Sequence, residues 1–269
     1  MGLDEAASRA QRAYDAAADT YDADANGFWE VTGRRTIGRL RLARGARVLD
    51  LPCGSGASAL AAARAVGPDG RVVGVDLAQG LLELARAKAS RETLVNVELV
   101  HADVRATGFG DAEFDAVVCV FGIFFVPDRE QLMRELWRMV APGGALAVTT
   151  WGPDMLEPGA GMFWEAVARE QPELVRTFNP WDELVEPAQL LGLYERSGID
   201  GATAELVDAY QPLRRPEDWW DIVMGSGFRG TVEQLAPDAR RRVREQNLAA
   251  VEGVQSVRTA AVYGLAVKR

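Results

Sequence analysis

From Ala46 onward the chain alternates short runs of β-branched residues with stretches of helical spacing, and this alternation most limits the folds open to it. The strand-like runs are residues 48–51, 72–76, 97–100, 116–121 and 145–150. They are mostly apolar on both faces, as parallel strands covered by helices must be. Between them, residues 57–66, 79–90 and 129–140 carry apolar side chains at helical intervals. In the last of these, Leu132, Met133, Leu136, Trp137 and Val140 form one stripe. Asp128 and Gln131 offer a capping start, and Pro142-Gly143-Gly144 a stop. Such repetition specifies an α/β fold, a doubly wound and mostly parallel sheet with helices on both faces.

Beyond Trp151 the pattern changes. Residues 152–187 are rich in Pro, Trp and Phe and read as an irregular insertion. A helix over 187–197, a strand near 204–210 and a second, helical insertion over 212–251 follow. The chain closes on a strand at 260–267, which completes a seven-stranded sheet as an antiparallel last strand. The expected organisation is one domain over 1–269. Residues 1–45 form an N-terminal helical cover, 46–151 a ligand-binding core, and the two insertions lie on the substrate side.

With 48% apolar and 26% charged residues, the composition is that of an ordinary soluble globular protein. The formal net charge of -9 argues against a nucleic-acid partner, which needs a basic face to displace counterions. The densest basic run, Arg240-Arg241-Arg242, reads as a solvated helix face. Cys53 and Cys119 sit at the edges of apolar runs with no partner at metal-ligand spacing, so reduced thiols and no metal are expected. Residues 1–20 do not read as a signal peptide, and no apolar run is long enough to span a bilayer. A cytoplasmic protein without membrane insertion is the expectation.

The most informative stretch is Val48-Leu49-Asp50-Leu51-Pro52-Cys53-Gly54-Ser55-Gly56, a strand entering a glycine turn before an alanine-rich helix. Glycines there let a ligand approach the backbone, and a helix N-terminus favours an anionic group. Nucleotides and S-adenosylmethionine both suit such a loop. The dinucleotide fingerprint wants a third glycine, but Gly54 and Gly56 are followed by Ala57-Ser58-Ala59. Asp76 ends the second strand, about twenty residues beyond the turn, where an acid can bond both hydroxyls of a ribose. Asp103 follows the third strand and is placed to accept from an exocyclic amine of adenine. Three acids at the ends of three successive strands point to the crevice where ligands of open α/β sheets bind.

The order of residues 48–56, 72–76, 101–104, Phe114-Asp115 and Pro142-Gly143-Gly144 resembles the class I S-adenosylmethionine-dependent methyltransferases. Within them, residues 121–128 and 18–22 are similar to segments of the ubiquinone/menaquinone-biosynthesis C-methyltransferase group. The resemblance covers roughly half the chain, residues 14 to 151. It implies S-adenosyl-L-methionine as cofactor. Asp50 and the turn through Pro52, Gly54 and Gly56 would hold its methionine portion, Asp76 the ribose, and Leu77 one face of adenine. Asp103 and the Val104 backbone would take the adenine edge. Val120 and Phe121 would floor the sulfonium, and Tyr21 would close from above. Pro52 departs from the family's usual glycine; proline loses an N–H but keeps its carbonyl.

Methyl transfer from a sulfonium is an in-line displacement that chiefly needs the acceptor placed in a dry pocket. A base is required only if the acceptor must lose a proton. The candidates by residue type are His101, Tyr14 and Tyr21, with Asp22 nearby. His101 falls on the adenine side and reads better as part of the cofactor's surroundings. The insertions carry Phe163, Trp164, Phe178, Trp181, Trp219, Trp220 and Phe228. They suggest an apolar roof suited to an aromatic, polyketide-like or isoprenoid small-molecule acceptor. The alternative is a protein that binds S-adenosylmethionine without transferring methyl, cyclase-like or a sensor. A nicotinamide oxidoreductase is disfavoured by the missing glycine, and an RNA methyltransferase by acidity.

Overall fold

The computed structural model describes residues 2–175, 179 and 181–269; Phe178 lies outside them. Two helices, α1 (Gly2–Ala17) and α2 (Phe28–Leu40), precede the core. The core runs β1 (Arg47–Asp50), α3 (Ala57–Val66), β2 (Arg71–Asp76), α4 (Gln79–Arg91), β3 (Val97–His101), β4 (Phe114–Val120), α5 (Arg129–Met139) and β5 (Val140–Trp151). Then come α6 (Gly159–Glu170), α7 (Pro187–Arg196), β6 (Thr203–Val207) and β7 (Tyr210–Pro212). The chain ends with α8 (Pro216–Met224), α9 (Arg229–Val232), α10 (Pro237–Ala250), β8 (Ser256–Arg258) and β9 (Ala261–Val267).

Seven strands form one sheet in the order β3-β2-β1-β4-β5-β9-β6. The first five are parallel, and β9 runs antiparallel to both β5 and β6. Neighbouring residues of each central strand feed opposite faces. Val48, Val72, Ala116 and Val118 pack on one side with Ile37 of α2 and Ala59, Ala62 and Ala63 of α3. Leu49, Val73, Val117 and Cys119 pack on the other with Leu132 and Leu136 of α5 and Leu190 of α7. Both faces are dry, which is why these strands read as continuous apolar runs. Because β2 and β4 flank β1 on opposite sides, the strand order reverses there. A crevice opens beyond the carboxyl ends at that point.

Two elements differ from the sequence expectation. Helix α5 starts as expected, with the Asp128 side chain accepting from the Gln131 N–H at 2.8 Å, but it ends at Met139. Pro142-Gly143-Gly144 then belongs to the irregular start of β5. Gly143, at φ +80°, donates to the Lys268 carbonyl at 2.7 Å, and Gly144 accepts from the Lys268 N–H. The turn residues are therefore tied to the end of the chain by backbone bonds rather than left as a loop. The strand expected near 204–210 splits. Residues 203–207 stay in the sheet, whereas Tyr210 pairs with Arg258 in a separate two-stranded ribbon, β7-β8. No helix of the described residues is long and apolar enough to cross a membrane.

Candidate active site

The first turn of the site is built by backbone conformations that side chains resist. Gly54 and Gly56 sit at φ +52° and +87°, and Gly56 begins α3. Left-handed backbone costs a residue with a Cβ roughly 1–2 kcal/mol, so the pair of glycines is demanded by the turn. Behind it, Asp50 is fully buried at the end of β1. Its Oδ2 accepts from Ser58 Oγ at 2.6 Å, while Oδ1 has no partner among the described residues. Burial pushes the Asp50 carboxyl up to about 7.

Asp76 clamps the same loop from the next strand. Its Oδ2 accepts from Gly54 N–H at 2.7 Å and its Oδ1 from Ala78 N–H at 2.8 Å. Burial raises its carboxyl above the ordinary range despite these bonds. Each oxygen retains a lone pair for a ligand hydroxyl. At the next strand end, Arg105 chelates the Asp103 carboxylate through Nε and Nη2 and through its backbone N–H, which holds Asp103 below the usual carboxylate range.

These elements enclose a cleft with about 1000 Å³ of empty volume, open solvent included. Of the residues expected at the cofactor, Tyr21, Pro52, Gly54, Asp76, Leu77, Asp103, Val104, Val120 and Phe121 line it. Asp50 and Gly56 do not: Asp50 lies wholly beneath the loop and Gly56 supports it as the start of α3. The Leu51–Pro52 bond is cis, and the proline ring packs so closely on Gly122 that a Cβ there would fall 2.0 Å from Pro52 Cδ.

The N-terminal segment covers the cleft. Tyr21 reaches Gly54, whose added Cβ would meet the phenol oxygen at 3.4 Å, and Tyr14 lies edge-on to Tyr21. Asp15 accepts from the Gly80 N–H at the start of α4, at 2.9 Å. Asp22 accepts from Ser55 Oγ at 2.7 Å and pairs with Lys88 at 3.0 Å. Asp22 therefore fastens the cover to the turn and is committed to that role rather than presented as a base. Burial pushes the Tyr21 phenol well above its ordinary value, so it stays neutral. His101, the other candidate, lines neither the cleft nor the chamber described next. It is exposed, and its Nε2 stands 2.9 Å from the Leu77 carbonyl, which can only accept. It supports the Leu77 backbone, in keeping with the expected place on the adenine side rather than with a base.

A second chamber, with about 520 Å³ of empty volume, open solvent included, adjoins the cleft and shares Tyr14, Trp29, Phe121 and Phe125 with it. Its other walls include Phe124 and Trp151, with Met155, Leu156, Trp164, Trp181, Ser226 and Phe228 from the insertions. Among the described residues no charged side chain lines it. Phe121 holds φ +54°, a conformation rare for a bulky residue, and stacks on Trp151 at 4.0 Å. Strain of this kind persists where the surroundings enforce it, commonly at a functional site.

Trp219 and Trp220, whose helix was expected in the roof, line neither space. Trp219 is fully buried in a helical sub-core, with Nε1 donating to Asn247 Oδ1 at 2.9 Å. Sequence reasoning missed Trp29 and Arg105. The adjacent Phe28-Trp29 pair, opening a helix of otherwise mixed polarity, was the available signal for the first. Arg105 gave none, because a lone arginine after a strand reads as surface.

A family model described as "Methyltransferase domain" matches residues 48–144. Demethylmenaquinone methyltransferase of Listeria monocytogenes serotype 4a is 38% identical over 114 residues, 42% of this chain and 48% of that protein. The chain thus spans about half the length of that relative. Aklanonic acid methyltransferase DauC of a Streptomyces species is 32% identical over 187 residues, covering 65% of this chain and 85% of the relative. Among solved structures, an S-adenosylmethionine-dependent methyltransferase from Aquifex aeolicus shares the fold. Its TM-score is 0.54 and its identity 19%, with 71% of this chain and 91% of that one covered. The glycine turn, the strand-end acids and the reversal of strand order agree with these matches. The chain belongs to the class I S-adenosylmethionine-dependent methyltransferases, and within them it resembles the quinone C-methyltransferase group.

Proposed function

We propose that this protein transfers the methyl group of S-adenosylmethionine to a small aromatic or otherwise apolar molecule by in-line displacement. The observation that carries this reading is the uncharged aromatic chamber that adjoins the cofactor cleft and shares Tyr14, Trp29, Phe121 and Phe125 with it. In this assignment Asp76 holds the ribose, Leu77, Val104 and the Asp103–Arg105 pair border adenine, and the turn at Gly54 faces the methionine portion. Val120 and Phe121 floor the reacting end, and Tyr21 closes over the glycine turn.

The acceptor's electron pair forms the new bond to the methyl carbon. The carbon–sulfur pair stays on sulfur, giving S-adenosylhomocysteine, and any acceptor proton passes to solvent. Burial keeps the Tyr21 phenol neutral, and no carboxylate, imidazole, amine or guanidinium of the described residues lines the chamber. The acceptor's own acidity supplies the nucleophile, with the Tyr14 phenol the one ionisable group of the described residues in the chamber wall. Exclusion of water and placement in line, with reacting atoms about 3–3.5 Å apart, are the protein's contribution. A small acceptor rather than a nucleic acid is supported by the charge of -9 and by the basic run of α10. Arg241 pairs with Asp238, Arg242 with Glu170, and Arg240 bonds the carbonyls of Val232 and Glu233.

The test is acceptor-dependent formation of S-adenosylhomocysteine with methyl-labelled cofactor, using short-chain naphthoquinols and aromatic polyketide acids. Label should enter the acceptor with a rate that follows the acceptor's ionisation. Conversion of an acceptor while the cofactor stays intact would overturn methyl transfer and favour use of the cofactor as a fixed binding element.

A further inference from the structure

Trp29, which borders both the cleft and the chamber, carries a buried indole N–H without a partner among the described residues. Trp29 is 9% exposed, and its Nε1 is a buried polar atom with no hydrogen-bond acceptor. The fold does satisfy the indole of its helical sub-core, where Trp219 Nε1 meets Asn247. Around Trp29 there are rings instead. Tyr21 stacks on it at 5.2 Å and 4°, and Phe121 and Trp151 approach at 5.6 and 5.5 Å, close to edge-on. Aromatic faces are weak acceptors, and an unmatched buried donor calls for a ligand. Trp29 borders both spaces, where the cofactor's reacting end would lie, and a sulfonium offers no acceptor atom.

We propose that Trp29 Nε1 donates a hydrogen bond to an oxygen of the methyl acceptor, so that the acceptor is an oxygenated aromatic, a ketone, quinol or phenol, rather than a hydrocarbon. The proposal rests on the methyltransferase reading above and deepens it. Anchoring one oxygen at Trp29 turns the neighbouring atom of the ring toward the cofactor. The same bond stabilises negative charge on that oxygen, which favours its ionisation in a chamber lined by no charged side chain of the described residues. Trp29 thereby selects among flat apolar molecules that the surrounding rings alone would accept equally.

The test follows the indole N–H signals of the seven tryptophans in ¹⁵N-labelled protein. The Trp29 signal is assigned by its loss in Trp29→Phe and independently by cross-relaxation to the Tyr21 ring, so the result does not depend on how well the variant folds. Protein saturated with S-adenosylhomocysteine is titrated with 1-tetralone or with tetralin, the same ring system without oxygen. The Trp29 signal should move downfield with tetralone and stay in place with tetralin. Trp29→Phe should weaken tetralone binding roughly 3- to 10-fold and leave tetralin unchanged. The proposal is overturned if S-adenosylhomocysteine alone produces the full shift, if tetralone fails to bind or leaves the signal unmoved, or if the variant weakens both ligands equally. Failure to bind S-adenosylhomocysteine at all would instead overturn the methyltransferase reading, and this proposal with it.

Discussion

Replacing Asp76 with Asn strikes the cofactor cleft where its geometry is least forgiving. One carboxylate oxygen holds the Gly54 N–H at 2.7 Å and the other the Ala78 N–H at 2.8 Å, so a single side chain ties the glycine turn to the entry of α4. Asn has the same shape but only one accepting atom. Whichever way its amide turns, an NH₂ faces a backbone N–H. The gross loss is one charge-assisted hydrogen bond, about 1.5–3 kcal/mol. Burial already disfavours the charge on Asp76, so neutralising it returns part of that, and the net loss is about 1–2 kcal/mol. For a domain of this size that lowers the melting temperature by roughly 2–8 °C. S-adenosylhomocysteine affinity should fall about tenfold or more, because a ribose hydroxyl loses its charged acceptor as well. Calorimetry reads both quantities on the same preparation. A variant that melts within about 1 °C of the parent and binds S-adenosylhomocysteine equally well would refute the role of Asp76 in both loop and ligand.

Four further outcomes are expected. Burial holds the Asp50 carboxyl near 7, so the cofactor-free fold retains a proton that the unfolded chain releases at the ordinary carboxylate value. Its contribution to stability is therefore present at low pH and lost as pH rises toward about 7. Asp50→Asn does not titrate, and its melting temperature should gain on the parent between about pH 4 and about pH 7; parallel curves would contradict the assignment. Gly122→Ala places a Cβ 2.0 Å from Pro52 Cδ at a backbone φ of -103°, which alanine tolerates, so the cost is steric. It should destabilise by about 1–3 kcal/mol and weaken S-adenosylhomocysteine, with partial relief from Pro52→Gly, as a double-mutant cycle would show. Trp219→Ala should lower stability by about 3–5 kcal/mol without changing acceptor KM in the folded fraction. Trp151→Ala should lower acceptor kcat/KM about tenfold or more with S-adenosylhomocysteine affinity retained, and reversed behaviour of the two would place the acceptor elsewhere.

The core of the fold was legible because its signals are local. Apolar strands, the Asp128 cap and the glycine turn each announce themselves within a few residues, and the sheet order follows from their alternation. The cleft was legible for a related reason: strand ends of a parallel sheet converge, so Asp76, Leu77, Asp103 and Val120 meet without help from the insertions. The roof was not. Which of many tryptophans lines a chamber depends on how short helices dock, and adjacent Trp219 and Trp220 carry no mark that one fills a sub-core. His101 was legible as a residue of the adenine side from its place two residues before Asp103, and its single bond to the Leu77 carbonyl lies on that side. The early end of α5 escaped because Val140 suits a helical stripe as well as a strand, and pairing with Phe114 decides it.

A crystal structure of the complex with S-adenosylhomocysteine tests the central claim most directly. The account predicts the ribose at Asp76, adenine beside Leu77 and Val104, and the sulfur at the junction bordered by Tyr14, Trp29 and Phe121, facing the aromatic chamber. A sulfur directed toward solvent, or a homocysteine portion filling the aromatic chamber itself, would contradict it.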